Sequence, residues 1–341
     1  MTSSTTELSG GAPPANPLRL VFLGSDPIAQ PLLDWLAGEG SSIAQVVAVW
    51  TQPDRPVGRG QKIAANEIKT WALSRSLPVY QPAKITDEWR LKFAAERADV
   101  ALVMAYGHIL RDDFIATPRL GTLNLHTSLL PKFRGASPIQ TAIASGERET
   151  GVTLMQIVRR LDAGPVAEVE RVAIGLLETA RDIERKLALA CVPLLARTLP
   201  RLRDGQLSFT PQDDRAATYC RRLAKEDGVV DLTAPAAAIA ARINGLFPWP
   251  ACSVVINGQA VKLGLADGVA GTAVPGEVVG ADADGLLVGT GGGLLRLRQM
   301  QRPGGRMLAA AEFLRGFPVA PGTKLESHAM PPLLSAAPFR R

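Results

Sequence analysis

Cysteine is scarce in this chain, with three among 341 residues: Cys191, Cys220 and Cys252. They are far apart, odd in number and without the close spacing of metal ligands. That excludes a disulfide framework and a zinc module, implies no metal, and points to a reducing, cytoplasmic setting. No apolar run reaches the roughly 20 residues that a membrane-spanning helix needs, so no membrane association is expected. Residues 1–16 carry one charge, Glu7, and neither basic residues nor an apolar core. They read as a disordered tail rather than a transit or signal peptide. The Gly24-Ser25-Asp26-Pro27 turn lacks the spaced glycines of a dinucleotide fingerprint, which argues against a nicotinamide cofactor.

What is present is an ordinary globular composition, 46% hydrophobic and 21% charged, in a chain longer than one core usually fills. The net charge of +6 favours a polyanionic partner. Residues 18–24 form an apolar run ending in Gly, followed by a cap, a first-turn proline and Ile28, Leu32, Leu33 and Leu36 at helical spacing. Further buried strands are expected over 43–50, 99–107 and 121–126, with helices over 67–76 and 87–97 between them. This alternation predicts an α/β fold with a doubly wound, mostly parallel sheet. Residues 151–159 and 165–173 read as a hairpin-like return, and a helix over 179–203 closes a first domain at 17–203. Residues 204–217 are polar, contain Pro211 and read as a linker. In 218–328 a helix stops at Pro248-Trp249-Pro250, with Trp249 read as a structural wedge. Short β-rich runs between Gly-containing turns follow, the pattern of a small barrel. Residues 329–341 are expected to be a loose tail.

The chemistry-bearing residues stand at the end of one strand. Asn124 and His126 are two apart there, and Asp162 follows on a Gly-bounded turn. Acyl transfer to an amine needs an oxyanion donor, a proton carrier and a partner for that carrier. The Asn124 amide, the His126 imidazole and the Asp162 carboxylate can fill those three roles. None of them is a nucleophilic Ser or Cys.

The string Asn124-Leu-His126-Thr-Ser-Leu-Leu-Pro-Lys-Phe-Arg-Gly135-Ala-Ser-Pro-Ile139, with Glu149-Thr-Gly-Val-Thr-Leu-Met155 and Leu161-Asp162-Ala-Gly164, resembles the catalytic core of the folate-dependent formyltransferases. The resemblance implies a Rossmann-like formyltransferase domain with Asn124, His126 and Asp162 as catalytic residues and 10-formyltetrahydrofolate as the donor cosubstrate. It places the folate beside Tyr106, Gly107, Ser128, Leu129, Leu130 and Pro131. The run Thr51-Gln-Pro-Asp-Arg55-Pro-Val-Gly-Arg59-Gly-Gln-Lys62 resembles the tRNA-facing loop of family members that act on aminoacyl-tRNA. A Gly- and Pro-rich loop carrying Arg55, Arg59 and Lys62 suits phosphate contact. The implied reaction formylates the α-amino group of methionine on initiator methionyl-tRNA, in a monomer. The alternative is an amino sugar nucleotide as acceptor, which has no need of that basic loop.

Thr218-Tyr-Cys-Arg-Arg-Leu-Ala-Lys-Glu-Asp227 and Phe247-Pro-Trp-Pro250 resemble post-linker segments of the same enzymes, which implies an OB-type β-barrel that holds the tRNA. Between residues 294 and 315 stand five arginines, Arg296, Arg298, Arg302, Arg306 and Arg315, against Glu312 alone. Arg296 and Arg298 alternate and so share a strand face, and with Arg306 they are expected on the tRNA.

Overall fold

The computed structural model of the protein describes residues 16–57 and 60–339. In chain order the first part runs β1 (Leu18–Gly24), α1 (Gln30–Ala37), β2 (Ala44–Trp50), β3 (Arg55–Val57), β4 (Lys62–Ala64), α2 (Glu67–Leu73), β5 (Val79–Tyr80), α3 (Asp87–Ala95) and β6 (Val100–Met104). It continues with α4 (Asp112–Ile115), β7 (Thr122–His126), β8 (Arg134–Gly135), α5 (Pro138–Ala144), β9 (Glu149–Gln156), β10 (Val166–Ala173) and α6 (Ala180–Arg203). The remainder is β11 (Tyr219–Cys220), α7 (Ala236–Leu246), β12 (Cys252–Ile256), β13 (Gln259–Val269), β14 (Val278–Ala281), β15 (Leu286–Gly289), β16 (Leu294–Gln301), β17 (Leu308–Ala309), α8 (Ala310–Gly316) and β18 (Leu334–Ser335). No helix among the described residues is long and apolar enough to cross a membrane.

The first part is a mostly parallel α/β sheet in the order β10-β9-β7-β6-β1-β2-β5, with β9 antiparallel to both β7 and β10. Its central strands β1, β2 and β6 are largely apolar on both sides, as expected where helices cover both faces. On β1, Leu18, Leu20 and Phe22 pack with α1, α5 and α6, while Val21 and Leu23 meet Phe93 of α3 and Phe114 of α4 on the other face. Asp26 caps the first turn by accepting from the Ile28 N–H at 3.0 Å, and Pro27 follows at the first helical position. The chain builds outward from β1 through β2 to β5, then returns to β6 on the other side of β1. A ligand crevice is expected beyond the carboxyl ends of strands at such a reversal, and β7, which carries Asn124 and His126, is the next strand beyond β6.

The C-terminal domain has its own core, in which Ile239, Ile243 and Leu246 of α7 pack on β12, β13, β15 and β16. Its antiparallel sheet has the order β12-β13-β16-β15-β14, with β17 added to β16. Among the described residues the pairing does not run from β12 round to β14, so this ladder is not the closed barrel expected from the turn spacing. The two halves meet closely at α5 and α7: a Cβ on Gly245 would stand 2.5 Å from the Ala144 nitrogen and 2.7 Å from the Gln140 carbonyl oxygen.

Two stretches differ from their sequence reading. The polar stretch 204–217 is tied down: Thr210 and Val166 exchange backbone hydrogen bonds at 2.8 Å in both directions. The expected loose tail contributes β18, which pairs with β11, and β11 pairs with β8, giving a three-stranded sheet between the halves. Arg242, buried on α7, donates to the Pro331 carbonyl at 2.8 Å and fixes that tail. Residues 1–15, most of the tail expected to be disordered, lie outside the described residues.

Candidate active site

Positions 124 and 126 face the same side of β7, opposite Leu123 and Leu125, which enter the core. Asn124 is half-buried, and its amide has no hydrogen-bond partner among the described residues. His126 is 6% exposed, with Nε2 2.9 Å from the Phe133 carbonyl oxygen. A carbonyl can only accept, so Nε2 carries the proton and Nδ1 is the imidazole's second, opposite position. That nitrogen stands 3.8 Å from Asp162 Oδ2, beyond hydrogen-bond distance. The ring is therefore oriented by a backbone carbonyl, where the sequence suggested Asp162 as its orienting partner.

Asp162 is held by its own loop. Its Oδ2 accepts from the Gly135 N–H at 2.8 Å, and its backbone lies in the left-handed region at φ 47°. Phe133 is in the same region at φ 60°. Two non-glycine residues in this region store local strain that the surrounding bonds must hold. Those bonds are present: the Phe133 N–H donates to Thr218 Oγ1 at 2.9 Å and the Arg134 N–H to the Thr218 carbonyl at 2.8 Å. Two glycines allow the loops to approach so closely. A Cβ at Gly135 would meet the Cys220 carbonyl oxygen at 2.0 Å, and one at Gly164 would meet that of Gln156 at 1.8 Å. Cys220 donates its thiol to the same Phe133 carbonyl at 3.5 Å, and burial pushes that thiol up to about 12, so it stays neutral.

The residues expected around the folate separate into two groups. Leu130 and Pro131 line a cleft of about 430 Å³ whose other walls are residues 166–169 and 210–213. This is within the range of small-molecule sites and mixes apolar walls with a few polar groups such as Thr210 and Gln212. Ser128 is buried and shapes the loop instead, donating to the Lys132 carbonyl at 2.7 Å, while Leu129 packs on Gly151. Tyr106 departs further from expectation: its ring is buried in the core on the α3 and α4 face, edge-on to His108, and burial raises its hydroxyl above the ordinary range. Gly107 is exposed at the end of that turn.

Of the expected tRNA contacts, Arg55 and Lys62 are exposed on the paired strands β3 and β4, which rise as a hairpin where the sequence suggested a flexible loop. Gly58 and Arg59 lie outside the described residues. The hairpin's acid, Asp54, bonds Lys69 at 2.6 Å and Gln81 at 2.8 Å, and those two bonds hold its carboxyl below the usual range. Arg296 and Arg298 do share a face of β16, but that face looks onto Asp267, which bonds Arg296 at 2.8 Å and Arg298 at 2.6 Å. Burial works against the charge on Asp267, yet the two guanidiniums outweigh it and lower its pKa. Both arginines are thus internally paired rather than free for phosphate. Arg306 is 80% exposed and pairs with Glu312 at 2.9 Å. No group of three or more His, Cys, Asp or Glu side chains placed to hold a metal stands among the described residues.

Sequence reading overlooked what joins the loop of Asp162 to the loop whose Phe133 carbonyl holds His126. Arg134 is fully buried and bonds Gln212, Asp214 and the Tyr219 hydroxyl. Arg134 lies within the family-like string, which could have flagged it, whereas nothing in the sequence around Gln212 singles it out.

The Formyl transferase family matches residues 18–199, and its companion, Formyl transferase, C-terminal domain, matches residues 222–318. The chain belongs to the formyl transferase family, and its chemistry is formyl transfer. The Methionyl-tRNA formyltransferase of Aromatoleum aromaticum is 39% identical over 316 residues, covering 92% of this chain and 99% of that relative. Among solved structures, an N-formyltransferase from Helicobacter canadensis, in complex with folinic acid and dTDP-3-aminofucose, matches with a TM-score of 0.61 at 18% identity, over 84% of this chain and 99% of its own. HypX from Aquifex aeolicus, in complex with tetrahydrofolic acid, matches with a TM-score of 0.56 at 18% identity, over 87% of this chain. This chain spans about half of HypX, 47% of its length. At these identities the two structures bear on the fold alone.

Proposed function

We propose that this chain transfers the formyl group of 10-formyltetrahydrofolate to the α-amino group of methionine on initiator methionyl-tRNA. The observation that carries the reading is the 39% identity, over 99% of the relative's length, to a Methionyl-tRNA formyltransferase. The reading divides the chain into a catalytic domain at 17–203 and a tRNA-holding domain at 218–328. The second is read as an OB-type barrel, a reading supported by the register shifts within β13, since such irregularities bend a strand. The exposed Arg55 and Lys62, with Arg59 between them in sequence, meet the tRNA. The reading also puts the enzyme in the cytoplasm and takes it to act as a monomer.

The cleft beside Leu130 and Pro131 fits the folate, and the formyl carbon it delivers is the electrophile. Asn124, whose amide has no partner among the described residues, donates to the formyl oxygen as that oxygen gains charge. His126 Nδ1 takes the proton that the attacking amine releases and returns it to the departing nitrogen. Asp162, 3.8 Å away, stabilises the imidazolium in between. The amino sugar alternative has fold likeness in its favour, at 18% identity to the Helicobacter canadensis enzyme. The near-complete match to the tRNA enzyme outweighs it. Incubating the protein with 10-formyltetrahydrofolate and charged initiator tRNA should yield formylmethionine by mass spectrometry. Formylation of an amino sugar nucleotide with charged tRNA left untouched would overturn the reading.

A further inference from the structure

The loop carrying Asp162 and the loop that orients His126 are joined through one side-chain amide outside both. Gln212 Oε1 accepts from Arg134 Nε at 3.1 Å and Nη2 at 2.7 Å. Its Nε2 donates to the Asp162 carbonyl at 2.9 Å and to the Gly164 carbonyl at 2.7 Å. Accepting two bonds at one end and donating two at the other suits an amide: a carboxylate has no donor, an ammonium no acceptor, and a hydroxyl or a neutral imidazole only one donor. Arg134 follows Phe133, whose carbonyl holds His126 Nε2, and its guanidinium is fully buried. Asp214 balances that charge at 2.9 Å and also takes Arg160, two residues before Asp162.

We infer that Gln212 is a positioning residue for formyl transfer: anchored on Arg134, it fixes the Asp162 backbone and thereby the 3.8 Å separation between Asp162 Oδ2 and His126 Nδ1. The inference rests on the catalytic reading of His126 and Asp162 given above. The strained φ of Asp162 is what makes the clasp necessary. Gln212 removes freedom from the loop that bears the carboxylate, and the direct Gly135 bond then sets where its oxygen points.

Gln212→Glu separates anchoring from positioning. It keeps the acceptor for buried Arg134, now as an ion pair, and loses the donation to the Asp162 loop. Turnover at saturating 10-formyltetrahydrofolate, which sets aside any effect on the cleft that Gln212 also lines, should fall about tenfold or more, with the KM for charged tRNA within about twofold of wild type and the far-ultraviolet dichroism spectrum unchanged. A double-mutant cycle with Asp162→Asn supplies the readout that a purely structural role would not move. If Gln212 acts through Asp162, Gln212→Glu should cost no more than about twofold further in the Asp162→Asn background. Gln212→Asn, which keeps the amide and shortens its reach, is measured in the same cycle should the Glu variant fold poorly. Wild-type turnover in these variants, or a full additive loss in the cycle, would overturn the inference. A folded Asp162→Asn protein with normal turnover would instead overturn the catalytic reading beneath it.

Discussion

Asp162→Asn removes a charge while keeping shape, because an amide oxygen can still accept the Gly135 N–H that Oδ2 now accepts at 2.8 Å. What is lost is the carboxylate 3.8 Å from His126 Nδ1. A unit charge pair at that separation is worth about 4 kcal/mol at an effective dielectric of about 20. The two side chains are 7% and 14% exposed, so solvent screens the pair in part, and about 2–4 kcal/mol is the range to carry forward. That energy stabilises an imidazolium present only during proton transfer, so it appears as a slower chemical step, by about 30- to 1,000-fold. The assay is single-turnover formylation of charged initiator tRNA at saturating 10-formyltetrahydrofolate, with formylmethionine quantified by mass spectrometry. Folate affinity and the far-ultraviolet dichroism spectrum should not change. A folded Asp162→Asn protein within about threefold of wild-type rate would refute the electrostatic role, since it would cap the charge's contribution below about 1 kcal/mol.

Three further outcomes are expected. Gly135→Ala places a methyl 2.0 Å from the Cys220 carbonyl at φ +127°, so β8 and β11 must separate. Chemical denaturation should show a loss of about 3 kcal/mol or more, and a loss below about 1 kcal/mol would contradict the close approach. Asp227, which is buried, has a lowered pKa: burial opposes its charge, and the bonds from Arg221 and the Ala224 N–H outweigh that penalty. A depressed folded value contributes stability above the unfolded value of about 3.9 and loses it as pH falls through the folded value. Asp227→Asn should therefore lower the melting temperature at pH 7, and its gap from wild type should shrink below about pH 4. An equal gap at both pH values would contradict the assignment. Arg59→Ala should impair formylation of charged tRNA while sparing folate binding, and Arg59→Lys should restore part of it, because a point charge lacks the forked geometry of guanidinium on phosphate. Full activity of Arg59→Ala with unchanged salt dependence would remove that residue from the tRNA contact.

The layered sheet was legible because strands buried on both faces leave continuous apolar runs, as in Leu18–Gly24 and Val100–Met104. Asn124 and His126 were legible as a pair because a two-residue offset on a strand fixes a common face. The same rule placed Arg296 and Arg298 together, yet it is silent about the neighbouring strand. Asp267 stands in register opposite Arg296 on β13, and this turns an apparent phosphate site into an internal ion pair. Trp249 misled in a related way: flanking prolines suggested a wedge, but the ring is 55% exposed.

The bonds that tie down 204–217 were illegible for a different reason. β8, β11 and β18 have two residues each, joined through backbone atoms, and two residues carry no periodicity. The polar composition of 204–217 fits a solvated connection equally well, but Gln212 and Asp214 are polar because they face the guanidinium of Arg134. Cutting the chain after Gly205 would strip that buried cation of Gln212, Asp214 and Tyr219 and remove Thr218 from the Phe133 N–H. An uncompensated buried charge costs several kcal/mol, comparable with the whole stability of many domains. The sheet domain, which the sequence marked off at 203, is thus completed by residues up to Cys220, and the carbonyl that orients His126 is held from beyond the boundary.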